Sequence, residues 1–324
     1  MHPISYYTRI IEEEIKAMSF PGTPASLYEP VAYMMGLGGK RIRPVLTLIS
    51  SEILGGAVSE AIKPALAIEM FHNFTLVHDD IMDHSEMRRG SLTVHKKWNE
   101  ATAILSGDVM LVLAYELLGE VKADRIKAVL QLFNESSKKV CEGQQLDMIF
   151  ENTADVTVDD YIEMIGKKTG ALFACSLKMG AIIAGSSAED AEHMYQFGYN
   201  AGISFQVQDD ILDTFGQSGQ TGKKIGGDIA SNKKTFLAIK ALEKAGENDL
   251  EQLISLSKDN NVSPENKINQ TISVFNKLEI KKEAEAVREK YFDLAMNNLD
   301  NVNASAEGKI FLRNIAESLI NREN

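Results

Sequence analysis

The sequence predicts an all-α fold. Apolar residues recur at three- and four-residue spacing along almost the whole chain, alternating strand patterns bounded by tight turns are missing, and only 7 prolines interrupt 324 residues. In chain order the periodicity sets helices over 4–18, 26–36, 42–54, 60–83, 98–119, 124–149, 158–165, 168–185, 188–213, 234–245 and 279–301. Short punctuation such as GGAVSE and GSSAED joins them, so the helices are long and closely connected. Two stretches read as irregular. The first, 214–234, is rich in glycine and lysine and suited to closing over an anion; the second, 257–270, is a polar surface connection. No repeat of solenoid length occurs, which removes the commonest helical binding scaffolds.

Composition narrows the function classes. Apolar residues at 44% and charged residues at 25% are those of an ordinary globular protein, and the length suffices for a sizeable core, read here as a single domain over 1–324. A net charge of -12, from 34 basic and 46 acidic residues, argues against a nucleic-acid surface and suits recruitment of cations. Cys141 and Cys175 lie in apolar helical stretches without a CxxC, as expected of reduced, buried thiols in a cytoplasmic protein. The N-terminus carries acids early and is no signal peptide. Asp108 and Glu116 break the apolar run 101–118, and Lys178 breaks 171–185, so no membrane span is expected.

The chemistry concentrates in two acidic clusters. HDDIMD at 78–83 places Asp79, Asp80 and Asp83 within about one helical turn, where like charges repel unless something positive neutralises them. VQDDILD at 207–213 repeats the DDxxD spacing with Asp209, Asp210 and Asp213. One such motif arises by chance in roughly one chain in twenty of this composition, two in about one in several hundred. Each ends an apolar helix and presents its first and last carboxylates on one face. Hard oxygen donors without clustered histidine or cysteine point to Mg²⁺, with Mn²⁺ as an alternative. Mg²⁺ usually bridges one or two carboxylates to phosphate oxygens, so the implied ligand is a diphosphate.

Cations to hold that ligand sit in pairs beside glycines: Lys40, Arg41 and Arg43; Arg88 and Arg89; Lys167 and Lys168; Lys223, Lys224, Lys233 and Lys234. GQSGQTGKK at 216–224 is not a P-loop, because its glycines are wrongly spaced and Lys224 replaces the required Ser or Thr. His72 lies seven residues before Asp79, within about 20° of the same helix face.

The two aspartate motifs, with GGKRIRP, EMFHNFTLVHDD, RRG, LSGD, GQQLD, KTG and FQVQDDILD, resemble the trans-type polyprenyl diphosphate synthases of the short-chain, farnesyl or geranylgeranyl type, over residues 36–236. The resemblance implies an isoprenoid synthase fold: long helices around a central apolar cavity, with the motifs facing each other across its mouth. It implies that Asp79 and Asp83, with Asp209, bind three Mg²⁺ on the allylic diphosphate, while Asp80, Asp210 and Asp213 assist directly or through water. Lys40, Arg43, His72 and Arg89 would hold isopentenyl diphosphate; Arg88, Lys168, Lys223 and Lys233 would clamp the allylic diphosphate; Thr169 and Gln206 would border the reacting carbons. A homodimer is implied too.

In such enzymes bulky residues upstream of the first motif block the growing chain. Phe74 is fifth before Asp79, Thr75 fourth and Phe71 eighth. The aromatic at the fifth position, with no extra residues inside DDIMD, favours a geranylgeranyl over a farnesyl product. An ideal wheel nevertheless puts Phe74 roughly 160° from the Asp79 and Asp83 direction, so Thr75 and Phe71 look better aimed. Two other readings stay open: a catalytically silent partner subunit, and a terpene cyclase or head-to-head synthase. Lys40, Arg43 and His72 discriminate the cyclase, which has no second diphosphate to bind.

Overall fold

The computed structural model describes residues 1–216, 226–259 and 262–320. In chain order its elements are α1 (Ile4–Ala17), α2 (Ala25–Gly36), α3 (Ile42–Ile53), α4 (Val58–Met82), a hairpin of β1 (Met87–Arg88) and β2 (Ser91–Leu92), α5 (Val94–Lys97), α6 (Glu100–Gly119), α7 (Ile126–Glu151), α8 (Val158–Ile165), a π-helical turn (Gly166–Gly170), α9 (Ala171–Ala184), α10 (Ala188–Phe215), α11 (Gly227–Ala230), α12 (Phe236–Lys244), α13 (Glu247–Lys258), α14 (Pro264–Lys277), α15 (Ile280–Asn301) and α16 (Ala306–Ile320). The all-α expectation holds.

The chain divides into two compact units: residues 1–134, 175–195 and 302–308, and residues 135–174, 196–301 and 309–324. In the first, α4 packs against α3 and α6. Its buried residues, among them Leu66, Ile68, Met70 and Phe71, cover most of its circumference, as a helix held between neighbours requires. Each such side chain contributes about 1.5–3 kcal/mol on burial. α1 buries Tyr7, Ile11 and Ile15, one face at four-residue spacing, and the Tyr7 hydroxyl donates to Glu52 of α3.

The second unit has its own core, in which Phe150, Tyr161, Met164, Ile165, Val207, Ile211, Phe236 and Phe275 are buried together. Local chemistry fixes its helix starts. Thr157 and Asp160 form a capping box on α8, and the Thr235 hydroxyl accepts from the Ala238 N–H at the start of α12.

Several expectations need correction. The hairpin at 87–92 was not read, because strands of two residues have no periodicity to detect. Its turn residues, Arg89 and Gly90, both have positive φ (51° and 75°), the backbone of a tight two-residue hairpin. The polar stretch 257–270 is largely the end of α13 and the start of α14, the latter capped by Ser263 with Pro264 following. α16, over residues to which no helix was assigned, completes the described C-terminal part. Cys175 is buried but Cys141 is exposed, and both are free thiols. Among the described residues α6 has the length and composition to cross a membrane; one face of it, Ala103, Gly107, Met110 and Ala114, is buried, and it packs against α4.

Candidate active site

In the first unit α4 carries His72, Asp79 and Asp80, and ends on Asp83, whose N–H donates to the Asp79 carbonyl at 2.8 Å. The three aspartates are not equivalent. Asp79 is half-buried, Asp83 exposed, and Asp80 only 1% exposed. Residues i and i+4 share a helix face, whereas i+1 lies 100° away, so Asp80 meets different neighbours. Its Oδ1 accepts from Arg88 Nε (3.0 Å) and Nη2 (2.5 Å), reached from the hairpin. Burial pushes the Asp80 carboxyl above its ordinary value, and the Arg88 guanidinium opposes that shift.

About two α4 turns before the first motif, Arg43 Nη1 lies 3.3 Å from His72 Nε2. A guanidinium can only donate, so this contact makes His72 Nε2 an acceptor and the ring neutral. Burial, then the charges of Arg43, Arg89, Arg88 and Arg41, push the imidazole well below its ordinary 6.5. Four cationic groups thus act on His72 while it remains uncharged, which suits an anion site. Lys40 is exposed beside them, and Arg89 Nη1 donates to the Gly38 carbonyl.

The second motif, on α10, repeats the division. Asp209 and Asp213 are half-buried and Asp210 is 4% exposed. Asp210 Oδ2 accepts from the Tyr161 hydroxyl and from the Phe236 N–H (3.3 Å), and its Oδ1 accepts from Gln206 Nε2 (3.2 Å). Burial first, then the Asp228 charge, push the Asp210 carboxyl up to about 7 against the pull of those hydrogen bonds and of Lys233. Asp213 Oδ2 accepts from the Asp228 N–H at 3.0 Å.

Gln206 continues this network, accepting at Oε1 from the Thr169 hydroxyl at 3.0 Å. Thr169 and Lys168 lie on the π-helical turn, where the Ala171 N–H reaches back five residues to the Gly166 carbonyl. Such turns re-aim side chains out of an otherwise regular helix. Lys168 Nζ is paired with Asp147 Oδ2 at 2.5 Å. α7 approaches so closely here that a Cβ on Gly143 would lie 2.3 Å from the Lys168 nitrogen, so only glycine fits. Lys233 is exposed, its N–H bonded to the Asp228 carbonyl. Lys223 lies outside the described residues.

Phe71, Phe74 and His78 form one stripe of α4. Phe74 lies 5.5 Å from Phe71 and 4.8 Å from His78, ring centre to ring centre, and Phe71 packs edge-on against Phe133 of α7 at 5.3 Å. The Thr75 hydroxyl donates back to the His72 carbonyl. Sequence reasoning assigned nothing to Tyr161, Asp147, Glu12 or Glu69, which hold Asp210, Lys168 and Arg41. Asp147 and Glu69 had a signal, as the acids of GQQLD and EMFHNFTLVHDD.

Among the described residues no three His, Cys, Asp or Glu side chains converge into a ready-made metal cage. Accessible carboxylates without such a cage fit Mg²⁺, which keeps water and takes substrate phosphate oxygens as ligands.

Helices that end in accessible acids flanked by cations are the equipment of a diphosphate-handling helical enzyme. The chain belongs to the polyprenyl synthetase family, whose model matches residues 24–274. It is 38% identical over 319 residues to a short chain isoprenyl diphosphate synthase of Methanothermobacter thermautotrophicus, covering 98% of this chain and 97% of the relative. It is 39% identical over 284 residues to a geranylgeranyl diphosphate synthase of Saccharolobus solfataricus, covering 86% and 85%. A crystal structure of a geranylgeranyl pyrophosphate synthase superposes with a TM-score of 0.95 at 39% identity over 100% of both chains. The protein is therefore a prenyltransferase of the prenyl diphosphate synthase type with the isoprenoid synthase fold, and the similarity extends beyond the 36–236 span that carries the motifs.

Proposed function

We propose that this enzyme condenses isopentenyl diphosphate head-to-tail with an allylic diphosphate and releases an all-trans prenyl diphosphate, geranylgeranyl rather than farnesyl. The observation that carries the site assignment is the shared pattern of the two motifs, in each of which the middle aspartate is buried and fastened while the outer two remain accessible. Asp79, Asp83 and Asp209 would hold Mg²⁺, with Asp213 assisting; Asp80 and Asp210 keep the motifs in place. Bound Mg²⁺ supplies positive charge to the allylic diphosphate as its C–O bond breaks.

Lys168, Lys223, Lys233 and Arg88 orient that diphosphate, Arg88 turning to it from Asp80. Lys40, Arg43, Arg89 and neutral His72 hold the isopentenyl diphosphate so that its double bond faces the allylic carbon. The Thr169 and Gln206 dipoles stabilise the developing cation without attacking it. The new carbon–carbon bond takes the π electrons of the isopentenyl group, and the proton lost from the adduct passes to the released diphosphate. Phe71 and Phe74 limit product length.

The two units act as one catalytic domain, a reading supported by a single family match over 24–274. A cytoplasmic homodimer is the working assembly. The exposed apolar residues Ile104, Leu105, Val112 and Tyr115 along α6 support a second copy covering that face.

Purified protein incubated with isopentenyl diphosphate, Mg²⁺ and each allylic diphosphate in turn is expected to give a twenty-carbon product by chromatography. Asp79→Ala and Asp209→Ala are expected to abolish turnover with the circular dichroism spectrum unchanged. No elongation with any allylic partner would refute the reading, and full activity in either variant would refute the metal assignment.

A further inference from the structure

Arg41 stands between Lys40 and Arg43 in GGKRIRP, yet it is only 3% exposed. Its Nη1 lies 2.5 Å from Glu69 Oε1 on α4, its Nε 2.8 Å from Glu12 Oε1 on α1, and its Nη2 2.6 Å from the Met35 carbonyl at the end of α2. Glu69 is fixed in turn by Asn73 Nδ2 at 3.1 Å. Arg41 holds a left-handed backbone, φ 47° and ψ 35°, which is strained in a residue with a Cβ. From outside, Arg89 donates to the Gly38 carbonyl, and its guanidinium lies so near Gly39 (φ 136°) that a Cβ there would come to 3.0 Å.

A buried ion triad is a poor source of stability, because desolvation cancels most of the attraction and apolar residues of equal volume do as well or better. What it supplies is direction. Three charge-assisted contacts from three helices admit one backbone path for the turn at 37–41, and that path sets where Lys40 emerges and where α3 begins, one residue before Arg43.

We propose that Arg41, gripped by Glu12 and Glu69, is a positioning residue for the isopentenyl diphosphate subsite, and that α1 is thereby part of the substrate machinery. Arg41 and Glu69 lie within the residues the family model matches, and Glu12, which α1 contributes, lies outside them. The inference rests on the function proposed above for Lys40, Arg43 and His72.

The test is isothermal titration of isopentenyl diphosphate into the full-length wild type, Arg41→Lys and Glu12→Gln, with geranyl diphosphate plus Mg²⁺ titrated in parallel. Lysine keeps the charge but cannot span three acceptors in the guanidinium geometry, and Glu12, with its side chain 30% exposed, can be neutralised without opening the core. Affinity for isopentenyl diphosphate is expected to fall about tenfold in Arg41→Lys and about threefold in Glu12→Gln, with geranyl diphosphate affinity within about twofold of wild type. Unchanged isopentenyl diphosphate affinity in the folded variants, or equal loss for both ligands, overturns the proposal. If Arg41→Lys does not fold, Glu12→Gln decides on the same criterion. Wild type that binds isopentenyl diphosphate but elongates nothing would overturn the proposed reaction and leave the positioning role standing; wild type that binds none overturns both.

Discussion

Asp210→Asn isolates one titration in the core of the second unit. The wild-type carboxyl is pushed up to about 7 from an ordinary 3.8, burial being the largest cause. The folded protein therefore holds the proton more tightly than the unfolded chain and binds more protons between about pH 4 and pH 7. Stability from this group is fully present below 3.8 and is lost as pH rises through about 7. At 1.36 kcal/mol per pH unit, the interval amounts to about 4 kcal/mol. Asparagine is nearly isosteric and never ionises. Its Oδ1 can accept from Tyr161 and the Phe236 N–H, and its Nδ2 can donate to Gln206 once that amide turns over, with the Thr169 hydroxyl then accepting. The assay is urea unfolding of both metal-free proteins at pH 5, 6, 7 and 8, followed by far-ultraviolet circular dichroism. Wild type is expected to lose ground steadily against Asp210→Asn from pH 5 to 7 and no further above it. Parallel stability curves across the whole range would refute the reasoning, for they would mean that Asp210 ionises in the fold as readily as outside it.

Three shorter predictions follow from the same geometry. Phe71→Ala, at a fully buried ring, is expected to cost about 3–5 kcal/mol and to add at least one isoprene unit to the product, whereas half-buried Phe74→Ala costs less and shifts the product similarly; thermal unfolding and product chromatography read the two effects, and an unchanged product in both variants places the floor elsewhere. Gly143→Ala drives a methyl group into the Lys168 backbone and is expected to lower kcat by about tenfold or more while isopentenyl diphosphate binding is retained, which single-turnover rates and titration would separate. Chelation of divalent ions is expected to stop turnover without changing the circular dichroism spectrum, since among the described residues no metal cage forms part of the fold.

The sequence showed most of the helices because their burial follows a period, and it failed where burial does not. α14 has a polar composition that hides its stripe, although Ser263 and Pro264 were a readable start signal. The hairpin turn uses Arg89 where asparagine or glycine would have announced a positive φ. His72 was legible because it shares a period with Asp79, and its partner Arg43 was legible as a motif residue. Arg41 was read with the cations that would hold the ligand, because its partners Glu12 and Glu69 lie 29 and 28 residues away, beyond any local pattern. Phe74 illustrates the limit of the wheel. The stripe of Phe71, Phe74 and His78 was available at three- and four-residue spacing, but the ring it packs on, Phe133, comes from another helix.

The repulsion among three aspartates in one turn resolves through this geometry as well. Two of each trio share a face and stay accessible; the third points elsewhere and must be neutralised within the protein, because a buried carboxylate cannot wait for a metal. The first motif uses Arg88 for that purpose and the second uses Tyr161, Gln206 and a backbone N–H. The two solutions differ chemically. On the function proposed above, the Arg88 guanidinium on its hairpin would turn from Asp80 to the diphosphate, which would raise the proton affinity of Asp80 as substrate binds. Tyr161, on α8 and 2% exposed, has nowhere to go. On the function proposed above, the first motif would rearrange around its ligand while the second holds its shape.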